Sequence, residues 1–124
     1  MIYHLMIYKV AMKTSNANFP LSEQTYFILL SLGLSPKHGY AIAKDVQSLS
    51  KGYVNLSVST LYTTLKRLLD DGWIRVVDDV QKESNRPRKV YELTNKGGNA
   101  LHLEIQRLDA LMSAARILGV EGAA

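Results

Sequence analysis

Residues 57–77, SVSTLYTTLKRLLDDGWIRVV, carry the reading that decides the fold. Ser57 suits a helix N-cap, since its hydroxyl can accept from an N–H of the first turn, and Gly72 suits the stop fifteen residues later. Placed at 100° intervals, Val58, Leu61, Leu65 and Leu68 fall together, while Ser59, Thr60, Thr63, Lys66 and Arg67 fall opposite. One face is therefore expected to pack, and the other is hydroxyl-rich and basic. Trp73–Val77 follows as a strand by its aromatic and β-branched content.

Toward the carboxyl terminus, Lys89–Leu93 reads as the partner strand, and DDVQKESNRPR between the two is polar and interrupted by Pro87. Lys82, Arg86, Arg88 and Lys89 concentrate positive charge there, so a protruding hairpin with a basic tip is expected. Thr94 then caps a long helix from Asn95 to Leu118, despite the weak Gly97-Gly98 pair in its first turn.

Toward the amino terminus, Ser22 caps a first helix whose apolar face is Tyr26, Phe27, Leu29, Leu30 and Leu32, stopping at Gly33. The segment LSPKHG reads as a turn, and Ile42, Ala43, Val46 and Leu49 mark a second helix closing near Gly52. TSNANFP at residues 14–20 is a linker that sets off an apolar arm.

Three helices, a two-stranded hairpin and one long helix is the order of a winged helix-turn-helix, in which the third helix enters the DNA major groove and the hairpin touches backbone. The fold class is thus mainly α with a small β-hairpin: a winged helix-turn-helix plus a long C-terminal dimerisation helix. The expected division is an N-terminal arm and linker over 1–20, the winged helix domain over 21–93, the dimerisation helix over 94–118 and a tail over 119–124.

Composition sets the outer bounds. A chain of 124 residues suits one domain, since domains run to roughly 100 to 150 residues. Hydrophobic residues at 47% and charged residues at 21% place it with packed globular proteins and away from disorder. A net charge of +4 favours polyanionic partners. The absence of cysteine excludes a disulfide framework, a thiolate nucleophile and a Cys-based metal site, and fits a cytoplasmic protein. Neither a secretory signal nor an apolar run of the ~20 residues a spanning helix needs is present, so no membrane partner is expected.

The residues resemble the PadR-type transcriptional regulators. His38-Gly39-Tyr40 matches the family's HGY motif opening the second helix, and Thr60-Leu61-Tyr62 its TLY motif in the third. LKRLLDDGWI and RPRKVYELTNKG are similar to its recognition-helix end, first wing strand, wing return and last-helix start, and the resemblance spans residues 21–118. Val58-Ser59 stands where many relatives have Pro-Gly, Asn85 where many have Gly, and the amino-terminal arm is longer than usual. The resemblance implies a short-form member without the added carboxyl-terminal helical domain.

It implies a sequence-specific DNA-binding regulator acting by repression as a homodimer on double-stranded DNA, with release by a small-molecule effector in members that have one. The expected DNA-binding residues are Ser59, Thr60, Thr63 and Lys66 for bases, Tyr40, Tyr62 and Arg67 for phosphate, and Arg86, Arg88 and Lys89 from the wing. Leu101, Ile105, Leu108, Met112 and Ala115, spaced by four and three and widened by Leu111 and Leu118, form an apolar seam that burial against a second copy would cover. Two linked reading heads also suit half-sites about 34 to 36 Å apart. Some short members stack flat ligands on an aromatic of the last helix, but this helix has no Trp, Tyr or Phe, so that site is not carried over.

Plainer readings stand beside these. His38 suits a turn or cap, Tyr40 suits core as well as phosphate, and Trp73 suits core or the wing base. His4, His38 and His102 are scattered and no catalytic or metal motif occurs, so no enzyme, no catalytic or metal residue and no cofactor is expected. The alternative function is a winged-helix module that binds protein or RNA through the same basic faces.

Overall fold

The computed structural model describes residues 19–77 and 89–120. They fall into two units, Ser22–Ala100 and a second containing the described residues 19–21 and 101–120. The arm, the wing connection 78–88 with Arg86 and Arg88, and residues 121–124 lie outside the described residues.

In the first unit, the Ser22 hydroxyl accepts from the Thr25 N–H at 3.1 Å and opens α1 (Glu23–Leu34). Its packed face holds Thr25, Ile28, Leu29, Ser31 and Leu32, whereas Tyr26, Phe27 and Leu30 are half-buried. The face is thus centred between Ile28 and Leu32 and includes two hydroxyls, which an apolar-only count passes over.

The expected turn at LSPKHG contains a short strand, β1 (Lys37–His38), leading directly into α2 (Gly39–Leu49). Left-handed backbone at Lys51 (φ 54°) and Gly52 (φ 84°) reverses the chain. The Ser57 hydroxyl then accepts from the Thr60 N–H at 3.1 Å, starting α3 (Val58–Asp70). Gly72, at φ 74°, ends the reversal into β2 (Ile74–Val77), which pairs with β3 (Val90–Leu93).

The sheet corrects the expected two-stranded hairpin. Its order is β1-β3-β2, all antiparallel, with Lys37 opposite Tyr91, His38 opposite Val90, and Ile74 to Val77 opposite Leu93 to Val90. A two-residue strand has no periodicity to reveal it, and only its partner in the distant β3 defines it. His38 strengthens the junction, its Nδ1 lying 3.2 Å from the Lys89 carbonyl oxygen.

On α3, Leu61, Thr64, Leu65 and Leu68 are buried, but Val58 is 74% exposed, which corrects its placement on the packing face. At 100° per residue Val58 lies about 70° from the centre of the buried set, and Thr64 takes the place it was given. Ile28, Leu29, Ile42, Val46, Trp73, Ile74 and Tyr91 complete the buried set. Each large apolar side chain removed from water contributes roughly 1.5–3 kcal/mol.

Two polar devices tie this unit. Asp45 of α2 accepts from the Ser31 hydroxyl at 2.8 Å and pairs with Lys37, joining α1, β1 and α2. The Lys37 bond holds the Asp45 carboxyl below its usual value, aided by Ser31 and opposed by desolvation. Thr94 donates to the Gly72 carbonyl at 2.7 Å and accepts from the Gly97 N–H at 3.1 Å, capping α4 (Asn95–Ile117). The Gly97-Gly98 pair has its reason here: a Cβ on Gly97 would stand 2.0 Å from the Trp73 carbonyl oxygen, so only glycine lets α4 start against the β2 lead-in.

In the second unit, Glu104 of α4 is buried to 1% exposure, with both carboxylate oxygens engaged. Oε2 accepts from the Leu21 N–H at 2.7 Å and from Arg107 Nη2 at 3.2 Å, and Oε1 pairs with Arg107 Nε. A buried carboxylate requires such partners, since unpaired it is strongly unfavourable. Farther along, Ile105, Leu111, Met112, Ile117 and Leu118 are exposed, and Gly119 (φ 72°) ends the helix with its N–H on the Arg116 carbonyl.

Candidate nucleic-acid interface

The face of α3 turned away from its buried leucines is centred on Ser59, Thr63 and Lys66, all exposed. Thr60, half-buried, sits on the flank of this face, and its hydroxyl accepts from Ser57 at 2.9 Å as part of the cap. Hydroxyls near the start of the helix followed by an ammonium one to two turns later suit hydrogen bonding to base edges and phosphates.

Arg67 has a second engagement. Its Nη2 donates to the Thr25 hydroxyl at 2.6 Å, and the same oxygen accepts from Ser22 at 3.0 Å. The guanidinium thereby bridges α3 to the start of α1, a structural use that helical spacing alone does not show. Thr25 is 3% exposed, so this bond also satisfies a buried hydroxyl.

Tyr62 is 49% exposed and lies across the start of α2, where a Cβ on Gly39 would stand 2.8 Å from its hydroxyl. Tyr91 of β3 is 4% exposed, and burial raises its phenol pKa, with Tyr62 adding to the effect. The HGY and TLY motifs and the wing return strand therefore meet around one tyrosine. Tyr40, next to Gly39, is 73% exposed and is not core.

Of the expected wing residues, Lys89 is described and exposed, just outside the β3 ladder, while Arg86 and Arg88 lie outside the described residues. Arg75 of β2 pairs with Glu92 of β3 at 2.8 Å across the sheet. Lys44 and Lys51 were not among the expected contacts, yet both are exposed cations that form no salt bridge among the described residues. The signal for Lys44 was its position one turn after Tyr40.

Leu101 is buried at 8% exposure and Leu108 and Ala115 are half-buried, while Ile105, Leu111, Met112 and Leu118 range from 39% to 78% exposed. The seam residues thus divide into an inner set and two exposed flanks, Ile105 with Met112 and, about 120° around the helix, Leu111 with Leu118, the last just past the end of α4. Among the described residues no group of His, Asp and Glu could hold a metal ion, and no helix is long and apolar enough to cross a membrane.

The family model for the transcriptional regulator PadR-like family matches residues 28–103, more than half of the 124-residue chain. The chain belongs to the PadR-like family of transcriptional regulators. A PadR family transcription regulator from Clostridium difficile R20291 is 26% identical, with a TM-score of 0.66 over 78% of this chain and 98% of that one. A PadR-like transcription factor from Bacteroides fragilis is 29% identical, with a TM-score of 0.58 over 75% and 87%. Bacillus subtilis PadR, solved in complex with operator DNA, is 29% identical, with a TM-score of 0.56 over 63% of this chain and 44% of that one. No curated protein matches the chain. PadR-like membership makes the chain a regulator rather than an enzyme.

Proposed function

We propose that this PadR-like chain is a cytoplasmic, homodimeric repressor that binds a promoter operator in double-stranded DNA. The observation that carries the reading is the division of α3: Leu61, Thr64, Leu65 and Leu68 are buried, and Ser59, Thr63 and Lys66 stand opposite them in solvent. Ser59, Thr60, Thr63 and Lys66 read bases, Tyr62 and Arg67 position the helix against phosphate, and the wing adds Lys89, Arg86 and Arg88. The complex of Bacillus subtilis PadR with operator DNA supports this use of the fold. Release by a small-molecule effector is part of the proposal, as the family resemblance implies.

Pairing of two α4 helices supports the dimer. Ile105 and Met112 on one side and Leu111 and Leu118 on the other leave large apolar groups in water flanking half-buried Leu108 and Ala115, and a second copy covers them. The test is selection from a random duplex library by the purified protein. Enrichment of a two-fold symmetric sequence with half-sites one helical turn apart supports the reading. A library that stays unenriched contradicts it and favours a protein- or RNA-binding module.

A further inference from the structure

Tyr40 is a large aromatic left 73% exposed on a helix whose packing is done by Ile42 and Val46. Its one described engagement is with Lys44, whose Nζ lies 5.5 Å from the ring centroid. That is within the ~6 Å over which a ring face attracts a cation. The two residues are four apart, so they share the outer face of α2, at about 145° from the buried Gly39, Ile42 and Val46. Gly39, the neighbour of Tyr40, is where Tyr62 of α3 touches α2. The Tyr40–Lys44 pair is turned away from that contact and stands in solvent on the helix that precedes α3. In a helix-turn-helix the helix before the reading helix crosses the DNA backbone.

From this geometry we propose that Lys44 is a phosphate-binding residue and that the ring of Tyr40, not its hydroxyl, is the positioning group that holds the Lys44 ammonium toward the DNA backbone. The inference rests on the DNA-binding reading above and refines the role expected for Tyr40. A lysine free in solvent loses side-chain entropy when it meets a phosphate. A ring that already holds the ammonium reduces that loss. It needs only a π face, so the phenol oxygen is dispensable.

Four variants, Lys44→Gln, Tyr40→Phe, Tyr40→Leu and the double Tyr40→Leu/Lys44→Gln, are titrated in full-length protein against the duplex enriched by the wild type and a scrambled duplex, over a range of salt. Both positions are on an exposed face, and unfolding curves matching the wild type confirm that each of the four variants folds. Lys44→Gln weakens both duplexes by a similar factor, about tenfold at moderate salt, and lowers the salt slope by about one. Tyr40→Phe binds as the wild type, Tyr40→Leu loses about two- to fivefold, and the double variant is no weaker than Lys44→Gln. A wild-type salt slope in Lys44→Gln overturns the phosphate role while leaving the DNA-binding reading intact. A loss in Tyr40→Phe equal to that in Tyr40→Leu overturns the ring role, because the hydroxyl is then the contact. A wild-type protein that enriches no duplex overturns the underlying reading, and the Tyr40–Lys44 site with it.

Discussion

Gly39 and Tyr62 occupy one contact: a Cβ on Gly39 would lie 2.8 Å from the Tyr62 hydroxyl and 3.2 Å from its Cζ. The glycine of the HGY motif is thus explained by the tyrosine of the TLY motif, not by a left-handed backbone. Alanine in place of Gly39 gains helix propensity but must displace the ring. Gly39→Ala is expected to lower unfolding free energy by about 1 kcal/mol. In a Tyr62→Phe background, where the nearest atom is gone, most of that loss is expected to vanish. Urea unfolding of the two single variants and the double variant measures the coupling, and strict additivity would separate the two residues.

Adjacent glycines at the start of α4 are expected to respond oppositely. Gly97→Ala places a methyl 2.0 Å from the Trp73 carbonyl oxygen, which is backbone and cannot step aside. Loss of about 3 kcal/mol or more is expected. At Gly98 the nearest atom is Leu93 Cδ2 at 3.8 Å, an ordinary contact, so Gly98→Ala is expected to stabilise by roughly 0.5–1 kcal/mol. Thermal unfolding of the two variants decides this.

What the sequence made legible was local. Ser22, Ser57 and Thr94 each cap the helix they were expected to start, because a cap depends on a hydroxyl and an N–H three residues on. The two faces of α3 follow from helical spacing alone, apart from Val58. What stayed hidden was set by distant residues: β1 exists only because Tyr91 and Val90 pair with it, and Gly97 is needed only because Trp73 lies against it. Arg67 looked like a free cation because nothing in its own helix points to Thr25, and the buried carboxylate of Glu104 went unread because its partner N–H belongs to distant Leu21. The tip of the wing falls outside the described residues, and its arginines keep their sequence-based roles as proposals.

Stability should fall at both pH extremes for identifiable reasons. The Lys37 bond holds the Asp45 carboxyl below 3.8, so the folded protein binds that proton more weakly than the unfolded chain. Its contribution is complete above the unfolded-state value and is lost as pH falls through the lower folded-state value. Tyr91 is the opposite case: burial, then Tyr62, raises its phenol above 10.0, so its contribution is complete below that value and is lost as pH rises through the folded-state pKa. Asp45→Asn should flatten the acid limb of the stability profile, and Tyr91→Phe the alkaline limb, in denaturant midpoints measured across pH.

Dimerisation should depend on the apolar seam of α4. Leu111 is 53% exposed, so a glutamate there meets water in a monomer but an apolar partner in a dimer; Leu108 is half-buried at the middle of the seam. Leu111→Glu and Leu108→Glu are expected to sediment as monomers, with operator affinity reduced at least a hundredfold through loss of the second reading head. A dimer that persists in both variants would move the interface elsewhere.

Lys66 should separate base reading from backbone holding. As a base contact, its replacement by alanine weakens the enriched duplex by roughly 1–3 kcal/mol and relaxes preference at one position of each half-site. Competition with single-base variants of the duplex reads the change in preference. Uniform weakening would assign it to phosphate, and unchanged binding would remove it from the site.

The most direct measurement is fluorescence anisotropy of the full-length protein on its enriched duplex and on a scrambled duplex, at low and high salt. The account predicts affinity for the enriched duplex at least a thousandfold tighter than for the scrambled one, with both falling steeply as salt releases phosphate contacts. Equal affinity for the two duplexes, or binding insensitive to salt, would contradict it.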